Sequence, residues 1–212
     1  MKSRALSRAE RRDRTVAELV DAADRLFVSR GFHATSVDQI ATEAGYTKGA
    51  VYSNFTSKEE LFFAVYRRRA EQFVDAVEPM IDELGPVEAL NRLALDTKTR
   101  RGREDGWLAV FFEFWAHVLR HPELRERFAA IRRRSRQPLE AALERFAEDR
   151  HARLPFDATA ATVTMNAAQV GLALERLTDP ASVEPDLGER LSRLAFDHLA
   201  RNLRDHETEE PS

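Results

Sequence analysis

The residues with most chemistry to offer lie between Thr35 and Lys58, in the run T-S-V-D-Q-I-A-T-E-A-G-Y-T-K-G-A-V-Y-S-N-F-T-S-K. Lys48 can donate to a guanine O6 or N7, or to a phosphate oxygen. Gly49 and Ala50 are small enough to let a helix lie close to a row of bases, and Ala50 can touch a thymine methyl. Tyr46 and Thr47 precede them and can reach bases or backbone, while Thr35 and Ser36 offer hydroxyls to phosphate at a helix start. A second candidate is Glu113, His117 and His121, spaced i, i+4 and i+8 as metal ligands on one helix face would be. Pro122 ends that helix, no cysteine exists, and no further histidine cluster completes a set, so a metal is not expected. The chain shows no nucleophile elbow, phosphate loop or dinucleotide fingerprint, so an enzyme is not expected either.

The groove-reading residues need short, well-placed helices, and the local sequence supplies them. Ser36 with Gln39 forms a capping box, followed by Val37, Ile40 and Ala41 at helical spacing. Ala44-Gly45 closes that helix, because glycine accepts the left-handed conformation past a terminus. Thr47 caps a second helix over Lys48–Asn54, too short and polar to be stable alone. Ser57 and Glu60 launch a long third one. A short helix held after a glycine turn is the arrangement of a helix-turn-helix, which delivers side chains to the major groove.

The phrases A-A-D-R-L-F-V-S-R-G-F-H-A-T-S, G-Y-T-K-G-A-V-Y and N-F-T-S-K-E-E-L resemble the DNA-binding domain of the TetR family of bacterial transcription regulators. The close resemblance covers roughly the first third of the chain. It implies an all-α protein that binds a palindromic double-stranded DNA operator as a homodimer, usually as a repressor, in the cytoplasm and with no cofactor. It also implies phosphate contacts from Tyr52 and Lys58 and a polar contact from Asn54. The middle helices would then hold an effector pocket. Phe111, Phe112, Glu113, Phe114 and Trp115 are its candidates, with Met165, Asn166 and Gln169 on a facing helix. Aromatic faces around one carboxylate suit a small hydrophobic effector, cationic if Glu113 pairs with it. The last two helices would form the dimer interface through Val170, Gly171, Leu174, Leu191 and Leu199. The rival readings are a nonspecific nucleic-acid binder and a helical enzyme.

Composition fits this division. Residues 1–70 carry 13 Lys/Arg against 9 Asp/Glu, a net of +4, and the remainder a net of −7, so positive charge gathers where the reader lies. With 43% hydrophobic residues the chain can bury a core, and no run is apolar and long enough to suggest a membrane span. Residues 1–57 read as a basic arm plus the reader, the arm over 1–10 and the first helix over about Asp13 to Arg30. Residues 58–84 read as a connecting helix ended by Gly85-Pro86, residues 85–205 as the effector and dimer domain, and residues 206–212 as a tail. Helices are expected over about Val87–Thr99, over the apolar run Trp107–Leu119, and over Glu123–Asp149 with a break or kink at Pro138. One more is capped by Asp157, and a last one starts at Asp186. The run Arg132-Arg133-Arg134-Ser135-Arg136 reads as a solvated helix face.

Overall fold

A computed structural model describes residues 7–85, 89, 103–149, 157–184, 187 and 190. All regular structure among them is helical: α1 (Arg8–Arg30), α2 (Val37–Glu43), α3 (Lys48–Tyr52), α4 (Lys58–Leu84), α5 (Arg103–Arg120), α6 (Pro122–Asp149) and α7 (Ala158–Thr178). The helix expected over Val87–Thr99 and the last helix fall largely outside the described residues, as do Leu191 and Leu199.

Local chemistry sets most boundaries. Ser36 and Gln39 close their capping box at 3.2 and 2.8 Å. Thr47 Oγ1 accepts from the Ala50 N–H at 3.2 Å, and Gly45 takes φ +75° between the two helices. The first helix starts earlier than expected. Ser7 and Glu10 form a full capping box, so Arg8 belongs to α1 rather than to the arm, and Arg11 and Arg12 lie in its first turns. Helix α6 is a single helix with Pro138 inside it, so of the expected break or kink the break does not occur.

The chain forms two compact units. The first joins the described residues up to Ala70 with Ala109–Ile131, and the second takes Glu71–Leu108 and the chain from Arg132. The expected boundary at residue 58 therefore needs correction: the second half of α5 and the first turns of α6 belong with the reader. The reason is aromatic packing. Phe114 is fully buried and stacks on Phe62 at 3.8 Å between ring centroids, and it meets Phe32 edge-on at 4.9 Å. Phe111 stacks on Tyr66 at 5.7 Å, and Phe128 closes the cluster 5.8 Å from Phe114. Burying an aromatic side chain contributes roughly 1.5–3 kcal/mol, so a cluster of this size holds this part of α5 on the reader.

An ionic contact also fixes α4 on α1. Arg69 reaches the buried Asp24 carboxylate with Nε at 2.9 Å and Nη2 at 2.7 Å, while Arg68 bonds Asp21. In the second unit, Val77, Ile81, Ala89 and Ala142 form a small core with Met80, Leu139 and Phe146 against it. Asp157 caps α7 through the Ala160 N–H at 2.6 Å.

Candidate nucleic-acid interface

The first unit presents an open groove lined by His33, Ser36, Asp38, Lys48, Tyr52, Ser57 and Lys58, among others. Lys48 is the first residue of α3, and its ammonium lies 2.9 Å from Asp38 Oδ1 and 3.0 Å from Oδ2. This hydrogen bond and charge hold Lys48 above the usual lysine pKa, so it stays cationic. Tyr52 is 49% exposed, unusual for a large aromatic side chain in a packed unit. Gly49 is exposed, and a Cβ there would meet only Thr47 Oγ1, at 3.8 Å. Among the described residues, nothing packs against Gly49 closely enough to require a glycine there. Ser36 and Thr47 are exposed caps whose hydroxyl oxygens accept from the Gln39 and Ala50 N–H groups. Ala50 is half-buried beside them.

Four expected contacts are committed inside the protein. Thr35 is 1% exposed, and its hydroxyl donates to the carbonyls of Gly31 at 2.7 Å and Leu26 at 3.3 Å, so it ties the corner to α1. Tyr46 donates its phenol proton to the Glu18 carboxylate and accepts from Thr15 at 3.3 Å. That bond, with a second from Arg14, lowers the Glu18 pKa. Asn54 closes the end of α3, donating to the Ala50 carbonyl at 2.9 Å and accepting from Arg12 Nε at 3.3 Å. Lys58 donates to the carbonyls of Phe32 at 2.9 Å and Thr35 at 3.0 Å and sits 4.3 Å over the Phe32 ring. Burial lowers its pKa, against the pull of Glu59 and Glu113. Its donors meet the carbonyls of the corner in this structure, at the edge of the same open groove.

Glu113 holds the same corner from the other side. Its Oε2 accepts from the Phe32 N–H and its Oε1 from the His33 N–H, both at 2.8 Å. Gly31, at φ +86°, leaves the space: a Cβ there would sit 2.8 Å from Glu113 Oε2. The carboxylate expected to meet a cationic effector is therefore spent on the backbone of the reader. Residues 31–35 are clamped between an α5 carboxylate that takes their N–H groups and an α4 ammonium that takes their carbonyls. Sequence reasoning could not find this, because the contact spans 81 residues.

The other effector candidates are redistributed. Phe111 and Phe114 are core of the first unit, and Phe112 and Trp115 are half-buried beside them, with Trp115 5.1 Å edge-on to Phe111. Met165, Asn166 and Gln169 lie on α7 in the second unit. Asn166 and Gln169 are exposed rather than buried, and Asn166 Oδ1 accepts from Arg132 at 2.8 Å. The arginine run is correspondingly mixed: Arg132 bonds Asn166 and Arg136 faces Glu140 at 3.6 Å, while Arg133 and Arg134 are solvated. His117 and His121 are ring neighbours at 4.2 Å, but they face Glu59 and Glu123 separately. No group of three metal-ligating side chains that could hold an ion occurs among the described residues. On α7, Val170 is half-buried, Gly171 is exposed, and Leu174 is 47% exposed.

The family model for bacterial regulatory proteins of the tetR family matches residues 19–65, the α1–α4 reader. A second model, the C-terminal domain of BetI-type transcriptional repressors, matches residues 86–204, more than half of the chain. The chain belongs to the tetR family of bacterial regulatory proteins. Members are transcriptional regulators rather than enzymes. Among curated relatives, the transcriptional activator FasR of Mycolicibacterium smegmatis is 36% identical over 107 residues, 50% of this chain and 42% of that protein. The regulator TtgR of Pseudomonas putida is 35% identical over 106 residues, 45% of this chain and 50% of that protein. The chain thus spans about half the length of the curated relatives it matches. The fold of this TetR-family chain is shared with a protein assigned as a transcriptional regulator from Saccharomonospora viridis, solved in complex with choline. That match has a TM-score of 0.64 at 20% identity and covers 88% of this chain and 97% of the other. No described helix is long and apolar enough to cross a membrane.

Proposed function

We propose that this chain is a ligand-responsive transcriptional repressor that binds a palindromic operator as a homodimer. The observation that carries the reading is the exposed α3, where Lys48 and Tyr52 open on one groove and Gly49 between them is exposed with no close neighbour among the described residues. In this reading Lys48, Gly49 and Ala50 face base edges in the major groove, while Tyr52, Ser36 and the Thr47 hydroxyl take phosphate. The family membership supports it, as do the cations at the start of α1, where Asn54 holds Arg12 against α3.

The dimer contact is assigned to the α7 stretch of half-buried Val170 and exposed Gly171 and Leu174, together with Leu191 and Leu199 from the expected last helix. A two-fold protein would then present two α3 helices to the two halves of an operator. The effector is assigned as a small hydrophobic molecule, and its response would pass through the Glu113–Lys58 clamp on residues 31–35. A ligand that binds differently to two arrangements of α5 would shift the corner, and with it α2 and α3. The cationic preference has lost Glu113 as its partner. Choline is bound by the S. viridis protein, so it belongs in an effector screen beside neutral lipophiles and acyl thioesters.

Selection of bound duplexes from a random-sequence pool by the full chain tests the reading. A palindromic consensus is expected. Recovery of unselected sequences would favour the nonspecific binder.

A further inference from the structure

The α2–α3 surface holds an acid where a nucleic-acid reader has least use for one. Asp38 is the only carboxylate among the residues lining the groove, whose other polar walls include Ser36, Lys48, Tyr52, Ser57 and Lys58. Both its oxygens lie on the Lys48 ammonium, at 2.9 and 3.0 Å. The fold does not depend on this pair: the two side chains are 60% and 57% exposed, and exposed ion pairs contribute little to stability. Asp38 also sits in the first turn of α2, where a carboxylate is mildly favourable to the helix, but Ser36 and Gln39 already cap that end.

We propose that Asp38 is a specificity-determining residue, whose carboxylate biases Lys48 toward neutral base-edge acceptors and against phosphate. The inference rests on α3 being the reading helix. An ammonium has three donors. With the Asp38 carboxylate holding one side of the ammonium, the donors left over can still meet a guanine O6 or N7, and Asp38 stays in place because the base carries no net charge. A phosphate brought to the same donor comes within a few ångströms of a like charge and is repelled. Nonspecific DNA offers mainly phosphate, whereas an operator offers the base edge, so Asp38 weakens the first kind of binding more than the second.

The test uses the full chain, its selected operator duplex and a scrambled duplex of equal length and composition, titrated over a series of salt concentrations. Wild type, Asp38→Asn, Asp38→Glu, Lys48→Ala and the Asp38→Asn/Lys48→Ala double variant are compared, with thermal melting to verify folding. Asp38→Asn should tighten scrambled-duplex binding roughly three- to fivefold at low ionic strength, the effect of removing one like charge nearby in water, and less at high salt. Operator affinity should change less, so the ratio of the two affinities falls. Asp38→Glu should restore much of that ratio. The double variant should discriminate no worse than Lys48→Ala alone, because both changes act through one side chain. Equal changes on both duplexes, or none, in Asp38→Asn would overturn the proposal while leaving α3 as the reader, provided Lys48→Ala still lowers the ratio. If Lys48→Ala leaves both affinities unchanged, the reading helix itself is wrong and the proposal falls with it.

Discussion

Truncating Glu113 gives the sharpest test of how the reader's first corner is held. The Glu113→Ala variant removes two charge-assisted hydrogen bonds, to the Phe32 and His33 N–H groups at 2.8 Å each. Such a bond is worth about 1.5–3 kcal/mol, and a buried donor left without a partner costs a comparable amount. The two sites are not equal. The His33 amide lies in exposed surroundings, where water replaces the carboxylate, whereas the Phe32 amide is partly buried. Counting one bond rather than two, the loss should be about 2 kcal/mol. Glu113→Gln keeps one carbonyl oxygen but turns an NH2 group toward a second donor, so it should recover only part of that loss. Gly31→Ala approaches the clamp from the other side, combining a strained φ of +86° with a Cβ 2.8 Å from Glu113 Oε2. The double variant Gly31→Ala/Glu113→Ala should therefore cost less than the sum of the single changes, since the clash goes and only the backbone strain persists. Urea unfolding measures the stabilities, and amide hydrogen exchange at Phe32 and His33 reports the site. Unchanged stability and unchanged protection of both amides in Glu113→Ala would refute the clamp.

Three further outcomes are expected. Asp24→Ala should destabilise the first unit by about 1.5–3 kcal/mol in the same unfolding assay, because it removes the buried carboxylate to which Arg69 makes charge-assisted hydrogen bonds; an unchanged stability would show that the pair contributes nothing to the fold. Burial, then the neighbouring His121, lowers the His117 pKa against the pull of Glu59, and His33 adds to the lowering. The folded chain thus binds that proton less tightly than the unfolded chain, so stability is full above about pH 6.5 and is lost as pH falls from there through the folded value. His117→Phe should flatten that slope in denaturant midpoints measured between neutral pH and about pH 5, and an unaltered slope would assign it to other groups. Leu174→Arg puts a charge at an exposed apolar position of α7 and should convert dimer to monomer in sedimentation while α1–α4 stays folded; a wild-type chain that is already monomeric at micromolar concentration would remove the interface assignment.

Features encoded within a few residues were legible in the sequence. Ser36 with Gln39, Gly45 and Thr47 determine the α2–turn–α3 geometry through contacts no more than five residues apart, and each is where the pattern puts it. The start of α1 was equally local: Ser7-Arg8-Ala9-Glu10 has the same capping-box pattern, hidden among the basic residues of a supposed arm. The roles of polar side chains were harder to read, because a residue placed at a surface motif can spend its donors on distant backbone. Lys58 reaches back 23 to 26 residues and Glu113 reaches back 80 and 81, and no spacing rule anticipates such contacts. The aromatic run of α5 was legible as a helix, but its place was not. Which layer it would fill depended on Phe32, Phe62 and Phe128 converging on Phe114, a tertiary fact.

The central claim is that α3 enters the major groove of both halves of a palindromic operator. The chain contains no cysteine, so Ser53→Cys, at the exposed end of α3, supplies a single attachment point for an iron–EDTA cleavage reagent. With the selected operator, the labelled protein should cut at two clusters related by two-fold symmetry, centred one helical turn of about 10 base pairs or a multiple of it apart. The same label at Glu175→Cys, exposed on α7, serves as the control and should give no localised cleavage. Uniform cutting from position 53, or clusters only from position 175, would contradict the account.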